Sequence, residues 1–412
     1  MHRRAVLLSA VALAASGALA PAVTARADSA SSASSASSAS SADPGPFGWS
    51  ATDSWSERRD VQQYWTPRRM LAAQPLAAPA PRRGTRSDGA TRGTPWAVRG
   101  ASLTTTSTTA QGRPWAVTGV SASAAHGTTP PGGTDSRGTD SRGTGQGTGT
   151  GTGAGTGTGG QGTGSRQGSG NGNGSGSLQA RVPNSPGARW VDGGGVVRTV
   201  GRVFFTTAQG RNASCSGTAV TSANQSVVMT AGHCVKLNGA AHRNWVFVPG
   251  FDNGRRPFGT WVATRLLTTQ QWNAREDINF DVAAAVVAPL QGRTLTGVVG
   301  GQGVAFNQPR GRQTYAFGFP AADPFDGSKL IFCSGRTFDD TVMTGDQGLR
   351  CSMTGGSSGG PWFLGFDEST GLGWLNSVNS FTYNFAPNFM FGPFFGDEAM
   401  AVYQAAQNTN AL

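Results

Sequence analysis

Charge is scarce in this chain: of 412 residues only 13% are charged, while 37% are hydrophobic. Histidine and cysteine number four each, and no CxxC pair occurs, which argues against a structural zinc framework. Beyond the first twenty residues no apolar run is long enough to cross a bilayer, so no stable membrane insertion is expected. A concentrated basic surface is missing as well. The net charge of +11 suggests nucleic acid until it is divided: residues 182–412 carry 16 Lys+Arg against 14 Asp+Glu, a net of +2, and the other +9 lies in the first 181. A nucleic-acid partner is therefore not supported. Glycine is what the chain has in excess, 62 residues, too many for a uniformly packed protein.

That excess is not evenly spread. His2-Arg3-Arg4 is a short basic start, Ala5 to Ala20 is an apolar run, and small residues follow to Ala25-Arg26-Ala27. This is the anatomy of a secretory signal peptide over residues 1–27, so the mature protein is expected outside the cell, free or held at the cell wall. Residues 28–181 are in turn Ser/Ala-rich, Pro/Arg/Ser-rich and Gly-rich. Such sequence buries too little apolar surface to offset its ordering entropy, and it reads as a disordered prosegment or linker. One pattern stands out in it: Gly93-Thr94-Pro95-Trp96-Ala97-Val98 returns as Gly112-Arg113-Pro114-Trp115-Ala116-Val117. Apolar patches in a disordered segment account for this pair, with docking onto a surface as the alternative.

From residue 182 to 412 the texture is that of one folded domain. Short strand-like stretches (Val196-Val197, Val203–Phe205, Cys215–Val220, Val227–Met229, Trp245–Val248, Trp261–Leu267, Val282–Val287, Tyr315–Phe319, Leu330–Cys333, Trp374–Phe381) alternate with Gly, Asn, Asp or Pro. Many short strands with turn signals indicate an all-β barrel or sandwich. Only Asp397–Ala406 has helical spacing, with acidic residues first and Met400, Val402 and Tyr403 on one side.

Two strings carry chemistry. Residues 355 to 362 read Gly-Gly-Ser-Ser-Gly-Gly-Pro-Trp, and residues 230 to 234 read Thr-Ala-Gly-His-Cys. A serine hydroxyl is a weak nucleophile at neutral pH and needs an adjacent base plus donors for the oxyanion. Glycines around Ser358 let the chain turn tightly, so that the amides of Gly356 and Ser358 converge. His233 is the candidate base; His242, with only Ala and Arg beside it, reads as structural. A carboxylate must orient the imidazole. Asp281, directly before an apolar strand, is favoured over Asp277, which reads as a solvent-facing cap. The four cysteines of an exported chain are expected to form disulfides, and three pairings are open.

His233, Asp281 and Ser358, in that order, resemble the chymotrypsin-like serine peptidases, and Val200–Phe205, Cys215–Val220 and Ser358–Trp362 look most like the bacterial branch related to glutamyl endopeptidases. The resemblance covers about 195 to 405. It implies a double β-barrel of the chymotrypsin type with the site between barrels, disulfides Cys215–Cys234 and Cys333–Cys351, an oxyanion hole at Gly356 and Ser358, and Ser380 supporting the aspartate. It also implies a specificity pocket at Ser352, Met353, Asn379 and Ser380. This chain departs from relatives there: Ser352 stands where trypsin-like members carry an acid, and Met353 and Asn379 where glutamyl members carry threonine and histidine. Ser357 replaces the aspartate that a freed N-terminus pairs with on activation. Phe381, Tyr383 and Phe385 serve equally as pocket wall or core. The implied activity is that of a monomeric endopeptidase acting on protein or peptide without cofactor or metal. A silent binding or adhesion protein, and a serine esterase or amidase, are the alternatives.

Overall fold

The computed structural model describes residues 45–76, 81, 89–102 and 184–412. The expected signal peptide at 1–27, the second Pro-Trp-Ala-Val copy and the glycine-rich tract lie outside the described residues.

Four strands come first in the chain: β1 (Phe47–Ser50), β2 (Gln74–Pro75), β3 (Trp96–Val98) and β4 (Ser185–Arg189). The first barrel follows, built from β5 (Val200–Thr206), β6 (Asn212–Val220), β7 (Val227–Thr230), a small hairpin of β8 (Lys236–Leu237) and β9 (Ala240–Ala241), then β10 (Arg243–Pro249), β11 (Trp261–Thr268) and β12 (Ala283–Val287). Neighbours run β11-β10-β5-β6-β7-β12, and β12 pairs back onto β11, closing six strands. Closure removes the exposed edges that an open sheet would carry.

The second half comprises β13 (Gly303–Phe306), β14 (Gln313–Gly318), β15 (Ile331–Arg336), β16 (Phe338–Asp339), β17 (Gln347–Arg350), β18 (Pro361–Asp367), β19 (Leu372–Val378), β20 (Phe381–Tyr383) and β21 (Ala386–Gly392). These form a seven-stranded sheet, β3-β13-β19-β18-β14-β15-β4, and a four-stranded one, β16-β17-β21-β20. The fold is the all-β chymotrypsin type, with the expected C-terminal helix at Asp397–Gln407. The helix buries Ala399, Val402, Tyr403 and Ala406, one stripe at helical spacing, against β12. Ala283, Ala284 and Ala285 make that strand thin enough for a helix to lie close.

Two expectations need correction. Val196-Val197 is not strand but the start of a helical turn, Val196–Thr199, whose Arg198 and Thr199 amides bond the Gly195 carbonyl. Gly193 and Gly194, both at positive φ, turn the chain just ahead of it.

The larger correction concerns residues 45–102, expected to belong to a disordered tether. β1 pairs antiparallel with Arg265–Thr268 of β11, beyond the point where β10 leaves that strand. Helix Trp55–Tyr64 starts at Ser54, whose hydroxyl accepts the Glu57 amide, and helix Pro67–Leu71 starts at Thr66 in the same way. They carry Val61, Trp65 and Met70 into the first-barrel core. The Trp65 ring lies 5.5 Å from Phe204 and its indole N–H donates to the Asn244 carbonyl at 2.6 Å. β2 then pairs parallel with β6, and β3 antiparallel with β13. A few well-spaced apolar residues suffice to dock such an arm, and composition averaged over residues 28–181 hides them.

Candidate active site

β7 delivers the chain into a single 3₁₀ turn, Gly232–Cys234, that presents His233. Gly232 is required by space: a Cβ there would sit 2.7 Å from the Trp272 indole. Cys234 is bridged to Cys215 on β6, tying the turn to the barrel wall; a loop of this length gains roughly 3 kcal/mol from the crosslink in the chain-entropy model. Cys333 and Cys351 form the second bridge. Cys215, His233 and Cys234 lie within metal-ligand reach of one another, but both sulfurs are spent in the disulfide and offer no thiolate.

Asp281 ends the 3₁₀ turn Ile278–Phe280 and enters β12 at the barrel edge. Its Oδ1 accepts the His233 main-chain N–H at 2.7 Å, and its Oδ2 lies 2.7 Å from His233 Nδ1. Ser380 Oγ donates to the same Oδ2 at 2.5 Å. His233 and Asp281 are fully buried. The carboxylate accepts a hydrogen bond from Nδ1–H, which fixes the tautomer and leaves the Nε2 lone pair free. Asp277 takes no part in this. It caps Asn279 and pairs with Arg275, although its side chain is largely covered rather than solvent-facing.

His242 is the residue that sequence reasoning undervalued. It stacks on Phe205 at 4.2 Å, and its Nε2–H donates to the His233 carbonyl at 3.0 Å. Burial pushes its pKa down to about 4; the bond to that carbonyl opposes the shift, and the neighbouring His233 adds to it. A neutral imidazole thus supports the candidate base from behind. Asp346 is a second unforeseen group: buried, with no hydrogen bond to either carboxylate oxygen among the described residues, its pKa is raised well above the usual range, first by burial and then by Asp281.

The nucleophile turn is wedged against the same corner. Gly359, at φ +77°, lies so close to the end of β7 that a Cβ would meet Thr230 Oγ1 at 2.0 Å and the Ala231 amide nitrogen at 2.8 Å. Ser358 thereby sits beside the turn that carries His233, and its carbonyl accepts the Ser216 amide at 2.7 Å. His233 Nε2 is buried and makes no hydrogen bond among the described residues; Ser358 is only 4% exposed.

The carbonyls behind the turn decide where its amides point. The Gly355 carbonyl accepts from the Ala321 amide at 2.7 Å, and the Ser357 carbonyl accepts from the Gly360 amide at 2.9 Å and from Asn379 Nδ2 at 3.0 Å. In a trans peptide the N–H opposes the C=O. With these two carbonyls engaged, the N–H groups of Gly356 and Ser358 point to the opposite side of their own peptides. The φ of +93° at Gly356 is what lets consecutive peptides adopt this arrangement.

The expected pocket residues are distributed differently. Ser352 donates both its amide, at 2.7 Å, and its hydroxyl, at 2.9 Å, to the Pro186 carbonyl. Met353 is buried among Leu349, Trp362 and Met390. Asn379 is buried and fully engaged, accepting from the Trp362 indole at 2.7 Å and donating to the Phe317 and Ser357 carbonyls. Phe381 and Tyr383 pack with Phe391 in a core cluster, while Phe385 is 67% exposed and stacks on Tyr383.

Known proteins can now be set beside this geometry. The family model for the trypsin-like peptidase domain matches residues 215–369. The crystal structure of a thermostable serine protease, AL20, from an extremophilic microorganism is 46% identical, with 52% of this chain matching 100% of that one at a TM-score of 0.50. The chain belongs to the trypsin-like serine peptidases. Protease Anisep from Arthrobacter nicotinovorans is 43% identical, with 52% of this peptidase matching 96% of that chain at a TM-score of 0.49. No curated protein matches it. About half of this chain thus matches the whole of the AL20 structure.

Proposed function

We propose that this chain is a secreted serine endopeptidase that hydrolyses peptide bonds through an acyl-enzyme on Ser358. The observation that carries the reading is the double grip of Asp281 on His233, through ring and main chain together, beside the nucleophile turn. Nε2 takes the Ser358 hydroxyl proton as Oγ attacks the substrate carbonyl carbon, and the oxygen that becomes negative is received by the N–H groups of Gly356 and Ser358. The same proton passes to the leaving amine as the C–N bond breaks. Water then repeats the sequence, releasing the acid and restoring the hydroxyl. Asn379 acts here as a positioning residue: by holding the Ser357 carbonyl inward it keeps the Ser358 amide aimed at the oxyanion.

The buried Nε2 and the 4% exposed Ser358 support reading this as a latent form with the N-terminal arm in place. Export is supported by the sequence of residues 1–27 and by two disulfides. A serine-directed phosphonofluoridate followed by peptide mapping tests the core of the proposal. Wild type is expected to carry the adduct on Ser358, and Ser358→Ala to carry none and to lose peptide hydrolysis by at least about 10³-fold. An adduct on another serine, or an unchanged rate in Ser358→Ala, overturns it.

A further inference from the structure

The edge of β13 holds a motif that this chain carries twice. Val304, Ala305 and Phe306 pair with Val98, Ala97 and Trp96. The Trp96 ring stacks on Phe306 at 5.7 Å and packs on Tyr403 at 5.8 Å, and Ala97 is 1% exposed. Asn307 grips the preceding backbone: its Oδ1 accepts the Gly93 amide at 3.0 Å and its Nδ2 donates to the Thr94 carbonyl at 3.2 Å. No side chain fits at either end. A Cβ at Gly93 would fall 2.2 Å from the Asp397 carboxylate, and one at Gly100 2.9 Å from the Gly303 nitrogen. The groove therefore specifies Gly93, Trp96, Ala97, Val98 and Gly100, while Thr94 and Arg99 face solvent.

Residues 112–119 read Gly-Arg-Pro-Trp-Ala-Val-Thr-Gly. Every position the groove touches with a side chain or cannot widen is repeated, and the two that differ, Arg113 for Thr94 and Thr118 for Arg99, correspond to the exposed ones. We propose that residues 112–119 are a second ligand of this groove and exchange with residues 93–100 of the same chain. Occupancy by the first copy has a physical reason. Thr91 donates its N–H and hydroxyl to the Glu398 carboxylate, and Arg92 lies 5.3 Å over the Phe394 ring; the second copy offers Ala110 and Gln111 in their place. Only residues 101–111 separate the copies, so the effective concentration of the second at the groove is high and exchange within one chain outcompetes exchange between chains. A shift to the second copy adds nineteen residues between Leu76 and the groove. It slackens the arm where it leaves the first barrel, independently of whether the site is a peptidase.

Thermal melting of the full chain tests the exchange without reference to activity. Trp115→Ala is expected to melt as wild type does. Trp96→Ala is expected to lose only about 3 °C, because Trp115 replaces the missing ring, and the double variant about 10 °C. A Trp96→Ala chain as impaired as the double variant, or unable to fold, overturns the proposal. Ala305→Cys with Ala116→Cys in the Trp96→Ala background gives an independent reading. An intrachain bridge on oxidation supports it; no bridge, or one joining two chains, refutes it.

Discussion

At the residue scale the decisive groups are those that hold other groups. His233, Asp281 and Ser358 stand out in sequence because their neighbours form specific strings, but His242 has none, and its place against the His233 turn follows only from the β8–β9 hairpin folding back. Its folded pKa of about 4 against an ordinary 6.5 fixes a pH dependence. The unfolded chain binds a proton there from pH 6.5 downward, while the folded chain resists until about pH 4. Stability therefore rises with pH across that window and is lost as pH falls through it, by roughly 3 kcal/mol in total. His242→Gln keeps a donor toward the His233 carbonyl and cannot take up the proton. Melting curves between pH 4 and 7 are expected to fall less steeply toward acid for His242→Gln than for wild type; parallel slopes would count against this account.

At the scale of elements, strands were the most legible feature and the short connections the least. Alternating and continuous apolar runs mark β5, β10, β11 and β12 because a closed barrel buries them in regular ways. The Val196–Thr199 turn escaped because two valines carry a strand signal that three preceding glycines override. Asn379 shows a different limit: a family position suggested a pocket wall, whereas the element it serves is the nucleophile turn, which it braces together with Trp362 and the Gly360 amide. The two roles separate kinetically. Asn379→Leu, similar in size, is expected to lower kcat by about 10²-fold while KM stays within about threefold, since an oxyanion donor is misdirected without altering ground-state binding. A variant that instead changes KM or the preferred cleavage residue at constant kcat would return Asn379 to the pocket.

At the scale of the whole molecule, the arm is what composition concealed: averaged with glycine and serine, Val61, Trp65, Met70 and Trp96 vanish, yet each is placed where a barrel has room. The arm bears on the site through its last first-barrel contact. The Leu76 amide donates to the Ser214 carbonyl at 3.1 Å, and Pro75 and Leu76 lie 3.4 and 3.5 Å from the position a Cβ would take on Gly355, at the start of the nucleophile turn. The next described stretch begins at Gly89, against Gly345, whose amide donates to Asn279 in the turn that ends at Asp281. Described residues of the arm thus flank the nucleophile turn on one side and the turn that ends at Asp281 on the other. Leu76→Asp puts an unpaired charge where an 8% exposed leucine packs, and Leu76→Pro removes the amide that bonds Ser214 but keeps an apolar side chain there. Both loosen the anchor without touching His233, Asp281 or Ser358. Labelling of Ser358 by the phosphonofluoridate is expected to accelerate at least about tenfold in Leu76→Asp and by less in Leu76→Pro. Equal and rapid labelling of all three chains would mean that the arm does not guard the site, and complete silence in all three would remove the peptidase reading along with it.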